Sequence, residues 1–133
     1  MPSTLSDPDL SRENKATVQR FYEVVFNKHR ASAAVEFIHD NYIQHSPYLA
    51  DGREAFVDYF GTLLAEYPNS RVDVKRVIAE GDYVVVHSHF TLRPSDRGTA
   101  IVDIYRLENG WLAEHWDVTE EVPVQAANRN TVF

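Results

Sequence analysis

The stretch TAIVDIYRLENGWLAEHWDVT, residues 99–119, decides the fold. Its two halves are rich in β-branched and aromatic residues, and Glu108-Asn109-Gly110 between them is a hairpin signal. Strands are predicted over 99–107 and 111–119. Toward the N-terminus the same period of two continues over 83–93 and 71–79, with Glu80-Gly81-Asp82 and Pro94 to Gly98 as turns. Before Pro68 the period is 3.6 instead. Val18, Phe21, Tyr22, Val25 and Phe26 form the apolar stripe of a first helix, with Ser11 as its expected N-cap. A short helix over 31–39 turns Ala34, Phe37 and Ile38 inward, and 41–47 is extended. Asp51 with Glu54 resembles a capping box and opens a third helix to about 67, with Phe56, Phe60 and Leu64 on its buried side. Pro68 ends it.

Helices first and an antiparallel meander after predict an α+β fold: a curved antiparallel sheet covered by N-terminal helices, with a cavity on its concave face. The 133 residues suit a single domain over 1–133, with 1–10 as a mobile tail. Residues 123–133 read as an irregular C-terminal tail that docks through Val132 and Phe133. No apolar run reaches the ~18 residues of a membrane span, and the N-terminus has no signal-peptide pattern. Cysteine is absent, which removes disulfide, thiolate and cysteine–zinc chemistry and suits a cytoplasmic protein. The formal charge of −7 carries no compensating basic cluster, so neither nucleic acid nor an acidic membrane is expected as a partner. Serine-nucleophile, P-loop, dinucleotide and HExxH motifs are all missing, which leaves acid–base chemistry by His, Asp and Tyr.

Asp103 interrupts an apolar strand, so it is either paired, for example with Arg106, or a pocket carboxylate. His115 and Asp117 share one face of the last strand, with Trp116 on the other. A three-residue loop Glu108-Asn109-Gly110, with Gly110 left-handed, would pair Leu107 with Trp111, set Asp103 opposite His115 and Ile101 opposite Asp117, and gather the polar groups on one face. A two-residue Asn109-Gly110 turn would instead put Asp103 opposite Trp116 and split them. His87 and His89 share a face with Tyr83 and Val85, while Val84, Val86, Ser88 and Phe90 read as the core side. The two histidines are read as surface groups, as pocket lining, or, with His115, as metal ligands; no suitably spaced Glu supports the last. His45, in Tyr42 to Pro47, is either a surface histidine or a group at the cavity mouth.

These residues lie in stretches that resemble the SnoaL-like polyketide cyclase family of the nuclear-transport-factor-2-like superfamily. The stretches are YIQHSP (42–47), DGREAF (51–56), EGDYVVVHSH (80–89), DIYR (103–106) and ENGWLAEHWDV (108–118). The last is the most specific. The resemblance implies a cone-like α+β barrel, usually dimeric, with the pocket inside the cone. An aspartate on the last strand is the family's acid–base residue and matches Asp117. The family's assisting histidine on the preceding strand matches Asp103, a departure from the pattern.

The expectation is a cofactor-independent enzyme without a metal, acting on a small apolar carbonyl compound by aldol-type cyclisation, isomerisation or dehydration. Asp117, Asp103 and His115 would be catalytic, and His45, His87, His89 and Tyr105 would bind substrate. The alternative is a non-catalytic small-molecule-binding domain of the same fold. A homodimer is the expected assembly.

Overall fold

The computed structural model describes residues 7–133. Helix α1 spans Asp7–Phe21 and continues as a π-helical turn over Tyr22–Asn27, followed by a 3₁₀ turn at Ala31–Glu36. Strand β1 is Ile38–Gln44, helix α2 is Arg53–Glu66, and β2 to β5 are Arg71–Glu80, Tyr83–Thr91, Thr99–Glu108 and Trp111–Glu121. The apolar stripe of the first helix is buried throughout. Phe21 has no exposed surface and meets the rings of Tyr22, Phe26, Phe37, Phe56 and Tyr105 at centroid distances of 5.4–6.1 Å. This aromatic cluster joins the helices to the inner face of the sheet, and burying it is the main drive to the fold.

The α+β architecture agrees with the sequence reading, and two features refine it. The sheet order is β1-β5-β4-β3-β2, and β1 runs parallel to β5, so the sheet is mixed rather than wholly antiparallel. It is curved but open, with β1 and β2 as its edges, so it does not close into a barrel.

Two capping expectations fail because the side chains are used elsewhere. Asp7 and Asp9 occupy the first turn of α1, where carboxylates favour the helix dipole. Ser11 lies inside that helix, and its hydroxyl accepts the Gly81 N–H at 2.8 Å. Residues 7–10 of the expected mobile tail are thus helical, while 1–6 lie outside the described residues. Asp51 does not cap α2, which begins after Gly52; it accepts the Gln44 N–H at 2.7 Å. The expected helix over 31–39 is only the 3₁₀ turn, and Ile38 and His39 belong to β1.

The β4–β5 hairpin turns in two residues, not three. Asn109 and Gly110 both have positive φ, 50° and 83°, as a type I′ turn requires, and Glu108 pairs with Trp111. Such a turn alone would split the polar groups across the sheet. A bulge at Ala113 restores them: Leu107 pairs with Leu112, but Arg106 pairs with Glu114. Asp103 therefore lies opposite Asp117, not His115, and Ile101 lies opposite Thr119. The polar groups share one face because the shortened turn and the extra residue cancel.

Beyond β5 the chain crosses the outer face of the sheet. The Phe133 ring lies 4.4 Å from that of His89 and under Lys75 Nζ at 5.1 Å.

Candidate active site

The concave face of the sheet and the helices enclose a cavity of about 170 Å³. Tyr22 and Phe26 from the π turn, and Phe56, Tyr59 and Phe60 from α2, form its apolar walls. Asp103 and Tyr105 from β4, His115 and Asp117 from β5, and Tyr42, Gln44 and Ser46 from β1 and its end form its polar side. The π turn has a local cause in the backbone: Lys28 N–H bonds to Glu23 carbonyl and Arg30 N–H to Val25 carbonyl, five residues back in each case. Tyr22, the first residue of this turn, meets Asp103. Such turns recur at functional sites.

Asp103 is buried at the centre of a continuous hydrogen-bond chain. Its Oδ1 lies 2.7 Å from His115 Nε2, and its Oδ2 accepts the Tyr22 hydroxyl at 2.5 Å. Tyr22 and Tyr105 hydroxyls are 2.8 Å apart; since Tyr22 gives its proton to Asp103, Tyr105 donates to Tyr22. On the other side, His115 Nδ1 lies 2.6 Å from Gln44 Oε1. That oxygen also accepts the Ser46 N–H at 3.0 Å, which fixes it as an acceptor and makes Nδ1 of His115 an N–H donor. One proton is then shared between His115 Nε2 and Asp103. The pair is either imidazolium with carboxylate or imidazole with carboxylic acid, and both forms can release a proton.

Asp117 is the carboxyl open to the cavity. Its pKa is raised, mainly by burial; the nearby Asp103 also raises it, while His115 and a hydrogen bond with Ser46 pull it down. Burial first, then the Asp103 charge, pushes the phenols of Tyr22, Tyr42 and Tyr105 well above their ordinary range, so all three stay protonated. Donor atoms of Asp103, His115 and Asp117 all lie within 4.8 Å, and these three types suit a divalent ion. The hydrogen bond between Asp103 and His115 already engages one donor atom of each.

The structure thus brings together Asp103, Tyr105, His115 and Asp117, and it sets three other candidates apart. His87 and His89 point to the outer face, because Val86 and Ser88, not they, share the face of Asp103. His87 contacts Arg76, and His89 Nε2 donates to the Arg97 carbonyl at 2.7 Å. Neither can bind a substrate in this cavity or share an ion with His115. His45 also lies outside: its ring stacks on Trp116 at 4.8 Å, and its Nε2 lies 2.7 Å from Glu114 Oε2. That contact and Arg106 hold the Glu114 carboxyl below its ordinary range. Arg106 bonds Glu114 at 2.9 Å and Glu108 at 2.6 Å, so it is not the partner of Asp103. Sequence reasoning missed Tyr22, Tyr42, Gln44 and Ser46. The signal for the last three was alternation along β1, which puts Tyr42, Gln44 and Ser46 on one side and Ile43 and His45 on the other.

A curved sheet covered by helices, with polar groups on its inner face, defines an α+β domain with an internal cavity. The chain belongs to the SnoaL-like domain family, whose model matches residues 18–115. It is similar in structure to a protein assigned as a SnoaL-like polyketide cyclase from Jannaschia sp. CCS1, with 22% identity over 89% of this chain and 92% of that one, and a TM-score of 0.70. A protein assigned as a ketosteroid isomerase from Kribbella flavida is 17% identical over 90% of this chain and 86% of that one, at a TM-score of 0.71. An NTF2-like protein of unknown function from Mesorhizobium loti is 20% identical over 90% and 99%, also at 0.71. At these identities the likeness is one of fold. No functionally curated protein matches in sequence. No described helix is long and apolar enough to cross a membrane.

Proposed function

We propose that the protein is a cofactor-independent acid–base enzyme acting on a small apolar carbonyl compound. Asp117 takes an acidic proton α to the carbonyl, and the His115–Asp103 pair supplies a proton at the end of the reaction. The observation that carries this reading is Asp117 with a raised pKa, placed beside a second pair that holds one proton, at the polar end of an aromatic cavity. An ordinary aspartate, with a pKa of ~4, is a weak base at neutral pH. Burial makes Asp117 a stronger one, and apolar walls exclude water that would compete for the proton. A positioned acid–base group contributes roughly 10²–10⁴-fold, which suits a C–H activated by two carbonyl groups. Aldol-type cyclisation, isomerisation and dehydration all begin with this step. A cavity of about 150 Å³ holds one aromatic ring, so a ring-sized reacting part fits the 170 Å³ here.

The test is deuterium exchange from solvent into the α-carbon of 1,3-dicarbonyl probes. Exchange above background that is lost in Asp117→Asn supports the role. A non-catalytic binding domain is the second reading, and the complete hydrogen bonding of Asp103 and His115 favours it. Ligand retained through purification, with no exchange on any probe, would select it. In either reading the partner is a second copy of the chain packed on the outer sheet face, where Ile78, Tyr83 and Val118 are exposed. Sedimentation of the wild type against Val118→Lys would report this.

A further inference from the structure

Among the described residues, Tyr42 and Ser88 hold the two buried side-chain hydroxyls with no hydrogen-bond partner. Each side chain is about 1% exposed, and both line the cavity described above. An unpartnered buried hydroxyl costs as much as a lost hydrogen bond, and native proteins retain few of them. The neighbouring phenols of Tyr22 and Tyr105 are both hydrogen-bonded, so polar groups in this cluster are otherwise satisfied. Both residues line the cavity, and a ligand oxygen beside either one would supply the partner its hydroxyl lacks.

We propose that the Tyr42 hydroxyl donates a hydrogen bond to the ligand's carbonyl oxygen, the oxygen that gains negative charge when Asp117 takes the adjacent α-proton. The charge on that oxygen rests on the acid–base reading; the binding contact does not. Tyr42 follows from β1 pairing parallel with β5, where Gln44 lies beside His115. Its ring runs nearly parallel to that of His115, 16° apart with centroids at 6.4 Å, and meets Phe56 edge-on at 6.4 Å. The hydroxyl thus sits on the side of the sheet that carries both carboxylates, and the fields of Asp103 and Asp117 reach it. Burial first, and then those charges, keep the phenol protonated, so it acts as a donor and transfers no proton. The electron pair of the broken C–H bond passes into the enolate, the proton goes to Asp117, and the enolate oxygen accepts from Tyr42. The same carboxylates repel an anionic ligand, so the class is a small neutral ketone or diketone.

The test compares 4-fluoroacetophenone with 1-fluoro-4-isopropenylbenzene, which has the same shape with CH2 in place of the carbonyl oxygen. Fluorine NMR titration of the wild type is expected to show the ketone bound about three- to tenfold more tightly, the range of one neutral hydrogen bond. Tyr42→Phe should lose that preference while its affinity for the olefin stays the same. Asp117→Asn should keep the preference, so a failure of the proposed catalysis leaves this contact standing. With an exchanging dicarbonyl probe, Tyr42→Phe should lower kcat roughly 10²-fold, the scale of one lost oxyanion donor. A wild type with no preference for the ketone, including one that binds neither compound, overturns the proposal. So does a preference that persists in Tyr42→Phe.

Discussion

Tyr22→Phe removes one oxygen atom and disturbs two other residues. The Tyr22 hydroxyl is the donor to Asp103 Oδ2 at 2.5 Å and the acceptor for Tyr105 at 2.8 Å. Without it, Asp103 loses a hydrogen bond to a charged acceptor, a contribution of about 1.5–3 kcal/mol, and the buried Tyr105 hydroxyl loses its acceptor at about 1–3 kcal/mol. The ring stays, so no cavity term is added. A loss of about 3–5 kcal/mol is expected, or a fall in Tm on the order of 10 °C for a domain of this size. Tyr42→Phe is the internal control. It deletes the same atom from the same residue type in the same cavity, but from a hydroxyl without a partner. Because that buried hydroxyl is unsatisfied, its removal is expected to be neutral or to stabilise the fold by up to about 1–3 kcal/mol. Urea unfolding of both variants, monitored by tryptophan fluorescence and far-UV circular dichroism, measures the difference. Equal destabilisation by the two substitutions, or a greater loss in Tyr42→Phe, would refute the assignment of partners in this cluster.

Other outcomes follow from the same geometry. The raised pKa of Asp117 means that the folded state holds its proton more tightly than the unfolded state, so stability falls as pH rises from the ordinary aspartate range through the raised value. Asp117→Asn should therefore raise Tm at pH 7, and the gain should vanish in thermal melts near pH 3, where the wild-type group is protonated in both states. Gln44→Leu removes the acceptor that fixes the Nδ1 proton of His115. It should lower kcat of the exchange reaction by about 10-fold or more, change KM less, and alter the pH–rate profile. His45→Ala, His87→Ala and His89→Ala act outside the cavity, and each should leave exchange rates within about twofold. His45→Ala breaks an exposed contact with Glu114 and should cost at most about 1 kcal/mol in urea unfolding.

The meander and the Asp103, His115 and Asp117 group were readable in the sequence because strand alternation is a local property. Within each strand, alternation alone puts Asp103 with Tyr105 and His115 with Asp117; which faces of β4 and β5 coincide depends on the hairpin register. That register was not readable: a two-residue turn and a bulge at Ala113 give the same faces as a three-residue loop. Choosing a face on β3 was harder, because both are partly apolar. Val85 lies opposite Ile104 on the outer face, and Ile104 lies opposite Trp116, so hydrophobicity alone did not exclude His87 and His89 from the cavity. The place of His45 depended on the parallel pairing of β1 with β5, a contact between segments some seventy residues apart. Ser11 and Asp51 have the chemistry of helix caps, but tertiary contacts to Gly81 and Gln44 use their oxygens instead.

The most direct test is the rate of solvent deuterium incorporation at the α-carbon of a β-keto ester that stays neutral in this range, such as ethyl acetoacetate, followed by proton NMR from pH 4 to 8 with wild type and Asp117→Asn. The wild-type rate should climb as Asp117 loses its proton, with a midpoint above the ordinary aspartate value. Asp117→Asn should lose roughly 10²-fold or more. Exchange at the buffer rate, or exchange unchanged in Asp117→Asn, would rule out Asp117 as the base.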